Sequence, residues 1–138
     1  MKPDMIAPCG MNCSLCRAVL RYEGRCSGCR GDDAEKTYKS CLNCRIKNCE
    51  RRAQTVSGFC YECDKFPCLR LRNLDKRYRE KYHMSMIENL NYIKSFGVEV
   101  FLEKEKNKWT CKTCGSIICV HRAVCLKCGS SYIERKDD

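Results

Sequence analysis

Twelve of the sixteen cysteines in this chain stand in six Cys-x2-Cys pairs: Cys13/Cys16, Cys26/Cys29, Cys41/Cys44, Cys60/Cys63, Cys111/Cys114 and Cys125/Cys128. A two-residue gap lets one tight turn aim two thiolates at a single tetrahedral ion, about 2.3 Å from each sulfur. A disulfide framework is the other use of so much cysteine, and the compartment separates the two. The N-terminal stretch MKPDMIAPCGM lacks the apolar run of about 7–15 residues that a secretory signal needs. No segment approaches the ~20 consecutive apolar residues of a membrane span. A cytoplasmic chain with reduced thiols and no membrane partner is therefore expected, with its cysteines serving as metal ligands.

Outside residues 69–108 the apolar content is thin and broken by Gly, Asn and charge. Such segments fold when a structural metal supplies the missing free energy, on the order of 10 kcal/mol per site. The formal charge of +10 counts every thiol as neutral. If about four Zn²⁺ ions took all sixteen cysteines as thiolates, the sites would add about −8 and leave the protein near +2. Net charge therefore gives little reason to expect a polyanionic partner.

Three segments and a tail follow. Residues 1–68 form a cysteine-rich module with eleven cysteines and no histidine. Within it Cys41-x2-Cys44-x4-Cys49 recurs as Cys60-x2-Cys63-x4-Cys68, and the spacing returns at Cys111, Cys114 and Cys119. A retroviral-type knuckle would need histidine at the x4 position and cysteine after a further x4, where this chain has Gln54, Asn73 or Val124. Residues 69–108 contain no cysteine and read as helices. Leu71, Leu74, Tyr78 and Tyr82 make one apolar stripe. Ser85 and Glu88 make a capping box, followed by Ile87, Leu90, Ile93 and Phe96 with Gly97 placed to end the helix. Val98, Phe101 and Leu102 suggest a third, short amphipathic turn. Residues 109–134 carry two CxxCG units ten residues apart, the pattern of a zinc ribbon, with strand-like composition at 117–121 and 131–133. Residues 135–138 read as a solvated tail. The predicted fold class is a small metal-stabilised α+β or irregular protein.

The order Cys-Gly-x2-Cys-x2-Cys, Cys-x-Gly-Cys, Cys-x2-Cys-x4-Cys and Phe-Cys-x2-Cys-x2-Phe-Pro-Cys resembles a family catalogued as domain of unknown function 3795. Here these motifs are Cys9-Gly10 to Cys16, Cys26 to Cys29, Cys41 to Cys49, and Phe59-Cys60 to Phe66-Pro67-Cys68. The likeness spans roughly residues 6–75. It implies a cysteine-rich, zinc-binding bacterial or archaeal protein and supplies no mechanism.

Cys111, Cys114, Cys125 and Cys128 form the clearest candidate site. Four thiolates close the coordination shell, so a structural ion is expected there. Cys119 and His121 lie between its halves, two apart on an expected strand. They read either as a buried thiol and a hydrogen-bonded imidazole or as additional metal ligands. The eleven N-terminal cysteines, Cys9, Cys13, Cys16, Cys26, Cys29, Cys41, Cys44, Cys49, Cys60, Cys63 and Cys68, do not divide by four. Four CxxC pairs would make two closed sites and leave Cys9, Cys49 and Cys68. Those three could form a site with an open fourth position, the geometry of a catalytic metal. Bridging thiolates or free cysteines would account for them equally. About three to four Zn²⁺ ions are expected, with an iron–sulfur cluster in the N-terminal module as the alternative.

Other cysteine chemistries fit poorly. Cys9-x3-Cys13-x2-Cys16 has the spacing of a radical S-adenosylmethionine cluster loop, but the (β/α)₈ barrel needs about 250 residues. No pair has the strand-then-helix setting of a thioredoxin motif. Arg70, Arg72, Arg77 and Arg79, with Lys76 and Lys81, form a basic cluster that is either a solvated helix face or a nucleic-acid surface. Nothing in the Ser, Asp and Glu pattern suggests a nucleophile and its base. The functional expectation is a binding or adaptor module with structural zinc and an unidentified protein or nucleic-acid partner. Iron–sulfur electron transfer and nucleic-acid binding are the alternatives, and catalysis is not expected.

Overall fold

The computed structural model describes residues 1–21, 25–36, 39–122 and 124–131, the side chains of 39 and 40 excepted. Among them lie three one-turn helices, α1 (Arg17–Leu20), α2 (Lys39–Leu42) and α3 (Glu50–Ala53), and three longer ones. The longer helices are α4 (Leu69–Tyr82), α5 (Met86–Phe96) and α6 (Val98–Trp109). Pairing of β type among the described residues is limited to isolated antiparallel bridges, Ile6 with Asn12, Thr110 with Ile117 and Val124 with Ser131. The chain is thus small and mostly helical, with few strand contacts where an α+β or irregular fold was expected.

The segment 117–121 shows why its strand-like composition makes no ladder. The Ile118 N–H bonds the Trp109 carbonyl (2.7 Å), whereas the Val120 N–H bonds the Leu15 carbonyl (3.0 Å). Successive amides reach different parts of the molecule rather than one partner strand. The proposed strand at 131–133 and the tail fall, apart from Ser131, outside the described residues.

Local signals account for the helical middle. Ser85 Oγ accepts the Glu88 N–H (3.1 Å) and starts α5. Asp75 of α4 accepts the Ser85 hydroxyl (2.6 Å) and the Ile87 N–H (3.0 Å), which ties the two helices at that corner. Gly97, at φ +89°, closes α5 through its N–H to Ile93 and opens α6 through its carbonyl to Phe101. Helix α6 is longer than the short turn its apolar residues suggest. Glu105 and Trp109 extend the buried stripe of Phe101, and the indole N–H donates to Glu105 Oε2 (3.0 Å). A carboxylate at a core position had broken the apolar period.

The core departs most from expectation at the N-terminus. Every residue from Ile6 to Leu15 is buried. Ile6 and Leu15 join Leu71, Met86, Leu90, Ile93, Phe101, Ile118 and Val120 in a single cluster. This run carries no charged side chain, so it enters the interior at little desolvation cost. Its polar groups find partners both within the run and on distant segments. Asn12 Oδ1 accepts the Ser14 N–H (3.1 Å), and Asn89 Nδ2 donates to the Gly10 carbonyl (3.0 Å). No helix among the described residues is long and apolar enough to cross a membrane.

Candidate metal centre

Two copies of one turn build the C-terminal cluster. In the first, the Cys111 N–H bonds the Ser116 carbonyl (2.7 Å) and the Gly115 N–H returns to the Cys111 carbonyl (2.8 Å). In the second, Cys125 bonds Ser130 (2.9 Å) and Gly129 returns to Cys125 (2.8 Å). Gly115 and Gly129 hold φ of +79° and +78°, a left-handed conformation that glycine adopts without side-chain strain. Each turn is flanked by its own bridge, Thr110 with Ile117 and Val124 with Ser131.

The turns face one another. The Sγ atoms of Cys111, Cys114, Cys125 and Cys128 all lie within 4.8 Å of one another. Cys111 to Cys128 measures 3.6 Å and Cys114 to Cys125 3.5 Å. Four thiolates around one ion at about 2.3 Å stand about 3.8 Å apart, so this donor set fits a tetrahedral thiophilic metal. Cys111 and Cys125 are buried and Cys114 and Cys128 exposed.

The electrostatics suit the same chemistry. The backbone N–H of Cys114, working against the cost of burial and helped by Thr113 N–H and the neighbouring thiols, lowers Cys111 to about 6. The Ser116 hydroxyl and N–H lower Cys114. Burial raises Cys125, which a divalent cation would offset.

Of the eleven N-terminal cysteines, Cys9, Cys13 and Cys60 are buried and the other eight half-buried. Among the described residues, no set of three or more other than the C-terminal four has its ligand atoms all within 4.8 Å. Cys9, Cys49 and Cys68 are therefore not gathered into an open three-ligand site. A 730 Å³ cavity is lined by Cys44, Cys49, Cys60, Cys63 and Cys68. Burial pushes the Cys9 thiol up, and Cys13 and Cys60 up to about 12. Without a cation these thiols stay protonated.

His121 is placed for hydrogen bonding. Its Nδ1 accepts the Arg17 N–H (3.5 Å), which puts the proton on Nε2 facing the Tyr78 hydroxyl (3.0 Å). Burial, then the Arg17 charge, lowers its pKa. Both ring nitrogens thus have protein partners. Tyr78 and Tyr82 pack against the core, as their stripe implied, and Arg70, Arg72 and Arg77 are exposed on the far side of α4. Arg79 Nε donates to Asp75 Oδ2 (2.6 Å).

Sequence reasoning missed Arg30. Its guanidinium lies 4.7 Å from the centre of the Phe59 ring, and Nε donates to the Ile6 carbonyl (2.7 Å). There it sets a fixed positive charge beside Cys29, Cys9 and Cys13. Its position directly after Cys29 was the available signal.

Residues 5–73 match the family described as Protein of unknown function (DUF3795). No curated protein and no solved structure matches the chain.

Proposed function

The chain belongs to the DUF3795 family, and from that premise we propose that it is a zinc-binding protein whose ions hold a recognition surface in shape, in a binding or adaptor role. The C-terminal four-thiolate geometry carries this reading. Its paired glycine-ended turns and its sulfur separations of 3.5 and 3.6 Å suit Zn²⁺ in a zinc ribbon. A closed shell of four thiolates offers substrate no coordination position, which favours structure over catalysis. The N-terminal cysteines hold the remaining ions, for about three to four Zn²⁺ in all. Anaerobic purification followed by elemental analysis tests the reading. Colourless protein with zinc as the bound metal is expected. Brown protein containing iron and acid-labile sulfide would replace it with an electron-transfer role, and metal-free folded protein would remove it.

One observation supports a second reading. Exposed positions of α4 carry Arg70 and Arg77 along one flank and Arg72 and Lys76 along the other. If the first flank binds nucleic acid, Arg70→Glu with Arg77→Glu abolishes binding and its steep salt dependence. Unchanged binding would eliminate the reading.

A further inference from the structure

The 730 Å³ cavity that carries Cys44, Cys49, Cys60, Cys63 and Cys68 in its wall also gathers charge and apolar surface. Its volume lies in the range of pockets that enclose a ligand, about 300–1,000 Å³, and a single ion fills only a small part of it. Among the described residues Arg45, Arg51, Arg52, Lys65 and Arg70 line it, with Glu50 as its single acid. Arg51 is paired with Asp64 (3.5 Å), whereas Arg45, Lys65 and Arg70 have no ion-pair partner among those residues. A zinc ion with four of the cavity's thiolates would add a charge of about −2 and still leave the wall positive.

Unused hydrogen-bond donors lie in the same wall. Arg52 donates through Nη2 to the Lys47 carbonyl, but its Nε is buried without an acceptor. Helix α4 starts at the cavity. Cys68 stands at its N-cap with no side-chain hydrogen bond, and no acceptor among the described residues meets the amides of Leu69, Arg70 and Leu71. A fourteen-residue helix carries a partial positive charge at this end. A buried donor left unpaired is costly, so these groups together favour an acid, which is anionic and rich in lone pairs.

Ile46, Phe66, Leu69 and Leu71 supply the apolar part of the wall. Ile46 and Leu71 are buried, but Leu69 is 63% exposed. The loop that joins Arg52 to Cys60 presents a further apolar side chain, Val56, at 99% exposure. That loop is fixed. Glu62 accepts the Val56 and Ser57 N–H groups (2.9 Å each), and Thr55 Oγ1 donates to the Arg52 carbonyl (2.7 Å) and accepts the Gly58 N–H (3.0 Å). A rigid loop loses little freedom when a partner covers its tip.

We propose that this cavity is the recognition surface and that it takes an acidic peptide segment. A carboxylate of the peptide meets Arg52 and the start of α4, and a neighbouring large apolar side chain packs on Phe66, Leu69 and Leu71. The inference rests on the binding reading above and names its partner. Leu69 and Val56 favour a peptide over a small acid, because each exposes apolar surface that only an extended ligand covers. Charge complementarity alone would also suit nucleic acid. Phe66, however, is the one aromatic ring lining the cavity among the described residues, and single strands stack successive bases on several rings.

A random dodecapeptide library displayed on phage is selected against the anaerobically purified, metal-loaded full chain. The most enriched peptide is then remade with a fluorescein label for anisotropy titration. Enrichment of peptides carrying Asp or Glu beside Leu, Ile, Phe or Trp is expected. Arg70→Glu and Leu69→Ser, both at exposed positions, should each weaken binding of the labelled peptide about tenfold or more, while Arg77→Glu, two turns further along α4, leaves it unchanged. No enrichment, enrichment of neutral or basic peptides, or unchanged affinity in Arg70→Glu and Leu69→Ser overturns the proposal. An oligo-dT strand that displaces the peptide and binds more tightly overturns it in favour of nucleic acid, and sodium hexanoate that does so overturns it in favour of a small acid. Zinc-loaded protein that enriches no acidic peptide removes this site and leaves the zinc reading standing. Protein that purifies folded without metal, and still binds the peptide through Leu69 and Arg70, defeats the zinc reading and leaves this site standing.

Discussion

Asp75 and Glu105 are both almost wholly buried acids, at 4% and 3% exposure, yet their surroundings pull them in opposite directions. Burial raises Asp75, but the Ser85 hydroxyl, the Ile87 N–H and Arg79 outweigh it and hold the carboxyl below its usual value. Burial dominates at Glu105, where Lys108 and the Trp109 N–H only partly compensate, so its pKa is raised. The signs of linkage follow. Asp75 contributes stability above its unfolded pKa of about 3.9, and that stability is lost as pH falls through the lower folded value. Glu105 contributes most below its unfolded pKa of about 4.3, and its contribution is lost as pH rises through the raised folded value. At neutral pH Asp75 therefore supports the fold and Glu105 weakens it. Asp75→Ala should cost about 2–3 kcal/mol in urea unfolding at pH 7, because it strands the Ser85 hydroxyl and the Ile87 amide. Glu105→Gln keeps an acceptor for Trp109 and removes the ionisation. It should gain on the order of 1 kcal/mol at pH 7, with the gain shrinking toward about pH 5. A gain independent of pH would contradict this account.

The two C-terminal turns and the loop Ala7–Met11 both depend on glycine, for different reasons. Gly115 and Gly129 hold positive φ in open space, with no atom within 4 Å of where a Cβ would stand. Gly115→Ala and Gly129→Ala should each cost about 1–2 kcal/mol, the price of the left-handed backbone alone. Gly10 combines φ +94° with a Cβ position 2.7 Å from the Met86 carbonyl oxygen and 3.0 Å from Leu90 Cγ. Because α5 backbone cannot yield as a flexible side chain does, Gly10→Ala should cost several kcal/mol more than either. Guanidinium titrations of the metal-loaded proteins give the comparison, and equal losses at Gly10 and Gly115 would refute it. The sequence displayed the first kind of glycine openly, because CxxCG repeats and its position relative to sulfur fixes its task. It hid the second, because the requirement comes from a helix some eighty residues further along. The same contrast separates Ser85, whose cap was readable from Glu88 three residues on, from Asp75, which completes that cap from another helix.

For the whole molecule, the legible part was what short spacing controls: the C-terminal quartet, the α4 stripe and the ends of α5. Long-range placement was not legible. Nothing local announces that Ile6–Leu15 crosses the interior, that Cys119 lies beside Cys16, or that 117–121 divides its amides between Trp109 and Leu15. That placement decides what metal removal does. Helix α5 packs on both α4 and α6, but Leu71, Leu90, Ile93 and Phe101 share their core with Ile6, Leu15, Ile118 and Val120. The second group sits in segments dense with cysteine and short of regular hydrogen bonding. Stripped of ions, those segments lose the constraint that holds them against the helices, and a helical piece of about 40 residues is too small to keep a fixed core alone. Chelation under reducing conditions should therefore abolish the cooperative thermal transition and the near-ultraviolet signal of Trp109. Part of the far-ultraviolet helical signal should remain, as in a compact state without fixed packing. An unchanged melting curve after complete demetallation would show that apolar burial suffices and that the ions do not hold the fold.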